Sequence, residues 1–107
     1  GLVQGLGGTF LDHMVYDEDG QLLTGSFADY LLPTSTDLPD ITAIALEESP
    51  SEFNPMGFKG AGEGGIVAVA AAVGNAVTHA LNAHNIQIND LPITPDRLRA
   101  ALRAVGA

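Results

Sequence analysis

The sequence contains no cysteine. That excludes a disulfide framework and a cysteine-ligated metal centre within these residues, and fits a cytoplasmic location. Positive charge is nearly as scarce. The four cations, Lys59, Arg97, Arg99 and Arg103, face 13 acids, for a net charge of −9. Binding to nucleic acid needs clustered Lys and Arg to neutralise phosphates. Anionic membranes are held by the same residue types. Both partner classes are excluded. No unbroken apolar run reaches the roughly 18 residues of a bilayer span, and no charged-then-apolar leader precedes a cleavage site. An initiator Met is also lacking. Gly1-Leu2-Val3 opens inside an apolar pattern, so the expectation is a piece of a longer chain, whose uncovered apolar surfaces invite self-association. At 107 residues it is one domain or part of one. The apolar content of 46% is ordinary for a globular protein.

What the sequence does have is a glycine-dense loop, Asn54 to Gly65, NPMGFKGAGEGG, with a single acid, Glu63. Glycine costs about 0.5–1 kcal/mol in a plain helix or strand, and is suited to positive φ or close backbone approach. A helix after the loop would aim free N–H groups back at it. The loop therefore reads as a backbone cradle for an anionic or polar ligand, with one carboxylate projecting into it. Gly60, Gly62 and Gly65 satisfy G-x-G-x-x-G. A dinucleotide fingerprint also needs a preceding apolar strand and an acid about 20 residues on. Neither is present. A Walker A loop needs Gly-Lys-Ser or Gly-Lys-Thr, also absent.

Periodicity predicts an α+β chain with a hairpin, a core strand and three helices. Leu2 to Met14 places Val3, Leu6, Phe10 and Met14 on one side, with Gly5, Gly7 and Gly8 permitting close backbone approach. Asp-Gly at positions 19 and 20 predicts a hairpin joining Val15-Tyr16 to Gln21–Thr24. Its acidic tip reads as a solvated turn, since an EF-hand needs further ligands and a closing Glu. Pro33 to Asp40 is turn chemistry. Ile41 to Glu48 alternates as a strand covered on both faces. Gly64 to Leu81 is a nearly all-apolar helix, expected to be buried, and Ile86 to Ile88 a further short strand. Thr94 as N-cap, Pro95 and Asp96 open the last helix, whose face is Leu98, Leu102 and Val105. His79 and His84 do not share a face and His13 is distant, so the histidines form no metal site. No serine sits in a nucleophile elbow.

The blocks N-P-x-G-x-K-G-x-G-E-x-G, Val3-Gln4-Gly5-Leu6-Gly7, Tyr16-Asp17-Glu18-Asp19-Gly20-Gln21-Leu22-Leu23-Thr24, Ser26-Phe27-Ala28-Asp29-Tyr30 and Pro92-Ile93-Thr94-Pro95 stand in order along the chain. In that order they resemble the C-terminal part of the large subunit of molybdenum hydroxylases, the aerobic carbon monoxide dehydrogenase and xanthine dehydrogenase group, with the closer likeness to the former. Asp12-His13 and Thr78-His79 depart from the pattern, on segments away from the loop. The resemblance implies that residues 1–107 are one C-terminal segment of a larger molybdopterin-binding domain. It implies a molybdopterin cytosine dinucleotide in the intact subunit, none in the isolated segment, and no activity of the segment alone. It implies partner subunits carrying FAD and iron–sulfur clusters, and a small substrate oxidised with oxygen from water. Copper, where used, is held by a cysteine loop elsewhere in the subunit.

For individual residues, the resemblance makes Glu63 the general base, or at least an acid beside the metal, and puts Lys59, Gly60, Ala61, Gly62 and Gln4 on the cofactor. Glu63 has a second reading as a cap on its own helix. Gln4 has one as a solvent-facing or capping amide, and Lys59 as a solvated surface residue. Burial beside an anionic metal group raises a carboxyl pKa and a helix N-terminus lowers it; both directions stand open for Glu63. A different class of function is a non-catalytic acidic α+β module for binding or assembly.

Overall fold

A computed structural model describes residues 1–106. Three α-helices form: α1 (Leu2–Phe10), α2 (Val69–Ala80) and α3 (Pro95–Ala104), with a short 3-10 turn at Asn82–His84. None is long and apolar enough to cross a membrane. Helices α1 and α2 pack together because Gly5 lacks a side chain. A Cβ there would lie 2.6 Å from Val69 Cβ, well inside ordinary carbon contact. Gly7 likewise admits Pro33, whose ring carbons would stand 2.9 Å from a Cβ, whereas Gly8 faces open space. Thr9 is wholly buried between these contacts. Its hydroxyl donates to Gly5 O at 2.6 Å, which removes the cost of burying it. Its own carbonyl accepts from Ile93 N at 2.6 Å, tying the segment before α3 to α1. Val69, Ile86 and Ile93 complete a small buried cluster.

Helix α1 is shorter than its periodicity predicts. Gly7 O accepts from both Leu11 N and Asp12 N, and Leu11 leaves helical geometry, so Met14 stays exposed. Helix α2 begins at Val69, not Gly64. Positions 62–68 are successive turns, and Gly65 is pressed against the backbone of Gly1 and Leu2. Apolar as it is, α2 buries only Val69 and Gly74 within the described residues. Thr94 does cap α3, accepting from Arg97 N at 3.3 Å with Pro95 in the first turn.

The β half of the α+β expectation is corrected. Among the described residues no named strand forms. The hairpin is reduced to one antiparallel bridge, Tyr16 to Leu22. Its turn is nevertheless built as the sequence implies: Gly20 has φ +81°, and Asp17 Oδ1 accepts from Asp19 N and Gln21 N. Ile41–Glu48 is not a strand, because no neighbouring segment of this chain pairs with it. No backbone–backbone hydrogen bond involves positions 38–50 among the described residues, and Ile44 and Leu46 are 78% and 81% exposed. Ile86–Ile88 is no strand either, for Ile88 N donates to Thr78 Oγ1 instead.

Size confirms that much apolar surface lacks a cover. The accessible area is 8503 Å²; a folded monomer of this mass exposes about 5,600 Å². The radius of gyration is 18.1 Å, where about 13 Å is usual for this length.

Candidate functional site

The loop has a closed stem and an open tip. In the stem, Asn54-Pro55-Met56-Gly57 makes a turn in which Gly57 N donates to Asn54 O at 3.1 Å. Proline at the second position and glycine at the fourth are what such a turn favours. Gly57 has φ +70°, and a Cβ there would strike Pro50 Cβ at 2.8 Å. The Asn54 side chain then pairs with the Phe58 peptide on both sides. Its Oδ1 accepts from Phe58 N at 2.9 Å, and its Nδ2 donates to Phe58 O at 3.0 Å. Gly57 O accepts from Ser51 N at 3.0 Å, closing the base.

Beyond the stem the pattern changes. Lys59, Gly60, Ala61, Gly62 and Glu63 are all exposed. None of their five amide N–H groups donates to another described residue. The Glu63 carbonyl accepts from Ile66 N and Val67 N, while its carboxylate is free of hydrogen bonds and ion pairs among the described residues. Glu63 is therefore not a side-chain cap: α2 starts six residues later, at Val69, and has no side-chain cap bond. The helix dipole is correspondingly remote, since its effect fades within one turn.

Gly65 brings the far end of the loop onto Gly1 and Leu2. Gln4 is exposed one turn into α1. The loop end and the first turn of α1 are thus neighbours, and the Gly5–Val69 contact holds α2 behind them. A cavity of about 540 Å³ lies on the stem side, lined among others by Leu46, Glu47, Met56, Phe58, Lys59 and Ala61. Glu63 is outside that lining. A second space of about 480 Å³ lies between the 87–93 segment and α3, remote from the loop. There Arg97 is occupied with the carbonyls of Leu91 and Pro92. Among the described residues no group of three His, Asp or Glu side chains could hold a metal ion.

These donors fit a cofactor that brings its own metal on an acceptor-rich organic carrier. Five consecutive N–H groups and one ammonium match phosphate oxygens or ring acceptors, and the residues supply no metal ligands of their own. Sequence reasoning missed the Asn54 pairing. The signal was present in Asn-Pro-x-Gly, a turn signature.

Known proteins share this sequence and fold. The molybdopterin cofactor-binding domain family matches residues 1–39. Subunit gamma of the 6-hydroxypseudooxynicotine dehydrogenase complex of Paenarthrobacter nicotinovorans is 42% identical over 96 residues, 90% of this chain and 12% of that protein. Quinoline 2-oxidoreductase from Pseudomonas putida 86 superposes with a TM-score of 0.87 at 41% identity, over 95% of this chain and 13% of that one. The copper- and molybdenum-containing carbon monoxide dehydrogenase superposes with a TM-score of 0.79 at 30% identity, over 98% of this chain and 13% of that one. The fold is thus that of a segment from a redox-enzyme subunit, spanning 12–13% of the length of these relatives. The chain belongs to the molybdenum hydroxylases, as part of their molybdenum-binding large subunit.

Proposed function

We propose that the intact protein hydroxylates a small substrate with oxygen from water, and that Glu63 is the base that accepts the proton. The observation that carries this reading is the loop tip: five N–H groups and one carboxylate without a partner among the described residues, two positions before Gly65 meets the first turn of α1. In the overall change, a substrate C–H and a water become C–OH, releasing two electrons and two protons. The molybdenum centre, when bound, supplies the two-electron acceptor. The work of this chain is to hold and to deprotonate. Lys59, Gly60, Ala61 and Gly62 present N–H groups and one ammonium to the pterin, and Gln4 adds an amide from α1. A Glu63 carboxylate oxygen takes the proton from the water-derived hydroxyl as it attacks carbon.

Two relatives act, by their names, on 6-hydroxypseudooxynicotine and quinoline. Those names favour a nitrogen heteroaromatic ring as the substrate class. The cofactor is the cytosine dinucleotide form, the partners are FAD and iron–sulfur subunits, and the complex works in the cytoplasm. Residues 1–107 are the C-terminal segment of the subunit. The rest of the subunit covers part of the 8503 Å² surface and pairs with Ile41–Glu48 and the Tyr16–Leu22 hairpin, so that they become the strand and hairpin their alternation implies.

Replacing Glu63 by Gln in the intact subunit tests the base. Amide and carboxylate have the same shape, but the amide cannot take a proton. Turnover falls by at least about 100-fold, within the range for loss of a general base, while molybdenum content is unchanged. Turnover near wild type with full metal removes Glu63 from the chemistry.

A further inference from the structure

We infer that Asn54 is the positioning residue of the Lys59–Glu63 tip: its side-chain amide clamps the Phe58 peptide and so sets the direction in which the tip leaves the stem. The inference rests on the reading of Glu63 as base. Three observations converge on it. Both polar atoms of the Asn54 amide are spent on the backbone of one residue, with Oδ1 accepting from Phe58 N at 2.9 Å and Nδ2 donating to Phe58 O at 3.0 Å, which holds the peptide units on either side of Phe58. That is the pairing a neighbouring strand would otherwise give, made here by a side chain. Next, Phe58 is the last anchored backbone before five residues whose N–H groups meet no described partner. At its far end the tip is tied by Gly64 N on Ala61 O and by Ile66 N and Val67 N on Glu63 O, whereas at its near end the Asn54 clamp on Phe58 is what holds it among the described residues. Finally, the stem is rigid where it meets Asn54, through Gly57 at φ +70°, its contact with Pro50 and the Ser51 N to Gly57 O bond. The clamp on its rigid base fixes the near end of the tip, as those turns fix its far end. Releasing Phe58 frees the near end of the tip and shifts the Glu63 carboxylate with it.

The amide is needed for both arms. Aspartate keeps the acceptor for Phe58 N, but when ionised it turns a second acceptor towards Phe58 O. When protonated, its O–H restores the donor. This gives a readout that a merely structural role would not move. In the loaded intact enzyme, Asn54→Ala lowers kcat roughly 10- to 100-fold, the scale of a misplacement near 1 Å. Molybdenum content stays at the wild-type level and KM changes less than about twofold, the pattern of a loss felt in the transition state and not in substrate binding. For Asn54→Asp, kcat relative to wild type at the same pH climbs as pH falls from about 6 to about 4, where an ordinary aspartate carboxyl gains its proton. Wild-type kcat in Asn54→Ala overturns the inference. So does a loss that only tracks lost molybdenum, or a flat Asn54→Asp ratio across that range. Glu63→Gln, assayed alongside, separates the two claims. If it is active, the base assignment fails whatever Asn54 does; if it is dead while Asn54→Ala is unimpaired, only the clamp fails.

Discussion

Substituting Gly5 by Ala probes the contact that sets α1 against α2, and the structure fixes its size. The new methyl would lie 2.6 Å from Val69 Cβ, 2.7 Å from Cγ2 and 3.0 Å from Cγ1. Carbon atoms rest comfortably at about 3.5–4.0 Å, so the helices must part by up to about 1 Å. Overpacking of this kind costs about 1–3 kcal/mol. Alanine returns about 0.5–1 kcal/mol over glycine in a helix. The net is destabilisation centred on about 1 kcal/mol and reaching about 2.5, a factor of roughly 5 at the centre in the local opening equilibrium. Native-state amide exchange in the intact subunit reads this directly, as faster exchange across Gly5–Phe10. Val69→Ala removes Cγ1 and Cγ2 but leaves the 2.6 Å Cβ contact. In that background the Gly5→Ala penalty shrinks without vanishing, giving a coupling of about 0.5 kcal/mol or more. Slower exchange in Gly5→Ala, or strict additivity of the pair, would refute the described packing.

Other outcomes follow from single contacts. Tyr30 is held above its ordinary pKa by partial burial first and by the nearby Asp12 carboxylate second. In a Tyr16→Phe background its phenolate absorbance titrates above pH 10, and Asp12→Asn moves the midpoint down without abolishing the burial part. The folded pKa is raised, so the contribution to stability is complete below about pH 10 and is lost as pH climbs through the folded value. Thr94→Ala removes the acceptor for Arg97 N at 3.3 Å, costing about 0.5–1 kcal/mol, the low half of the capping range because the bond is long. Amide exchange in the first turn of α3 reports it, and Thr94→Ser recovers most of the loss.

The parts legible in the sequence are those whose causes are local. Thr94, Pro95 and Asp96 mark the start of α3 within three positions, and α3 begins there. Asp17 and Gly20 carry their turn unaided. What was misread depends on distant partners. Ile41–Glu48 has a strand's alternation, but a strand needs a neighbour, and none pairs with it among the described residues. Gly64 and Gly65 fell within the apolar run of α2, yet the approach of Gly1 and Leu2 keeps them in turns. At the site, the glycine density and the lone Glu63 were visible, and family likeness attached a chemistry to them. Asn54 was overlooked because its two bonds depend on the backbone that Gly57 adopts, not on any periodic pattern.

A structure of the intact subunit with its cofactor loaded tests the account at its centre. It predicts a Glu63 carboxylate oxygen within about 3 Å of the oxygen that reacts, with the Lys59–Gly62 amides directed at the pterin. A Glu63 facing bulk solvent, with the cofactor bound elsewhere on the subunit, contradicts it.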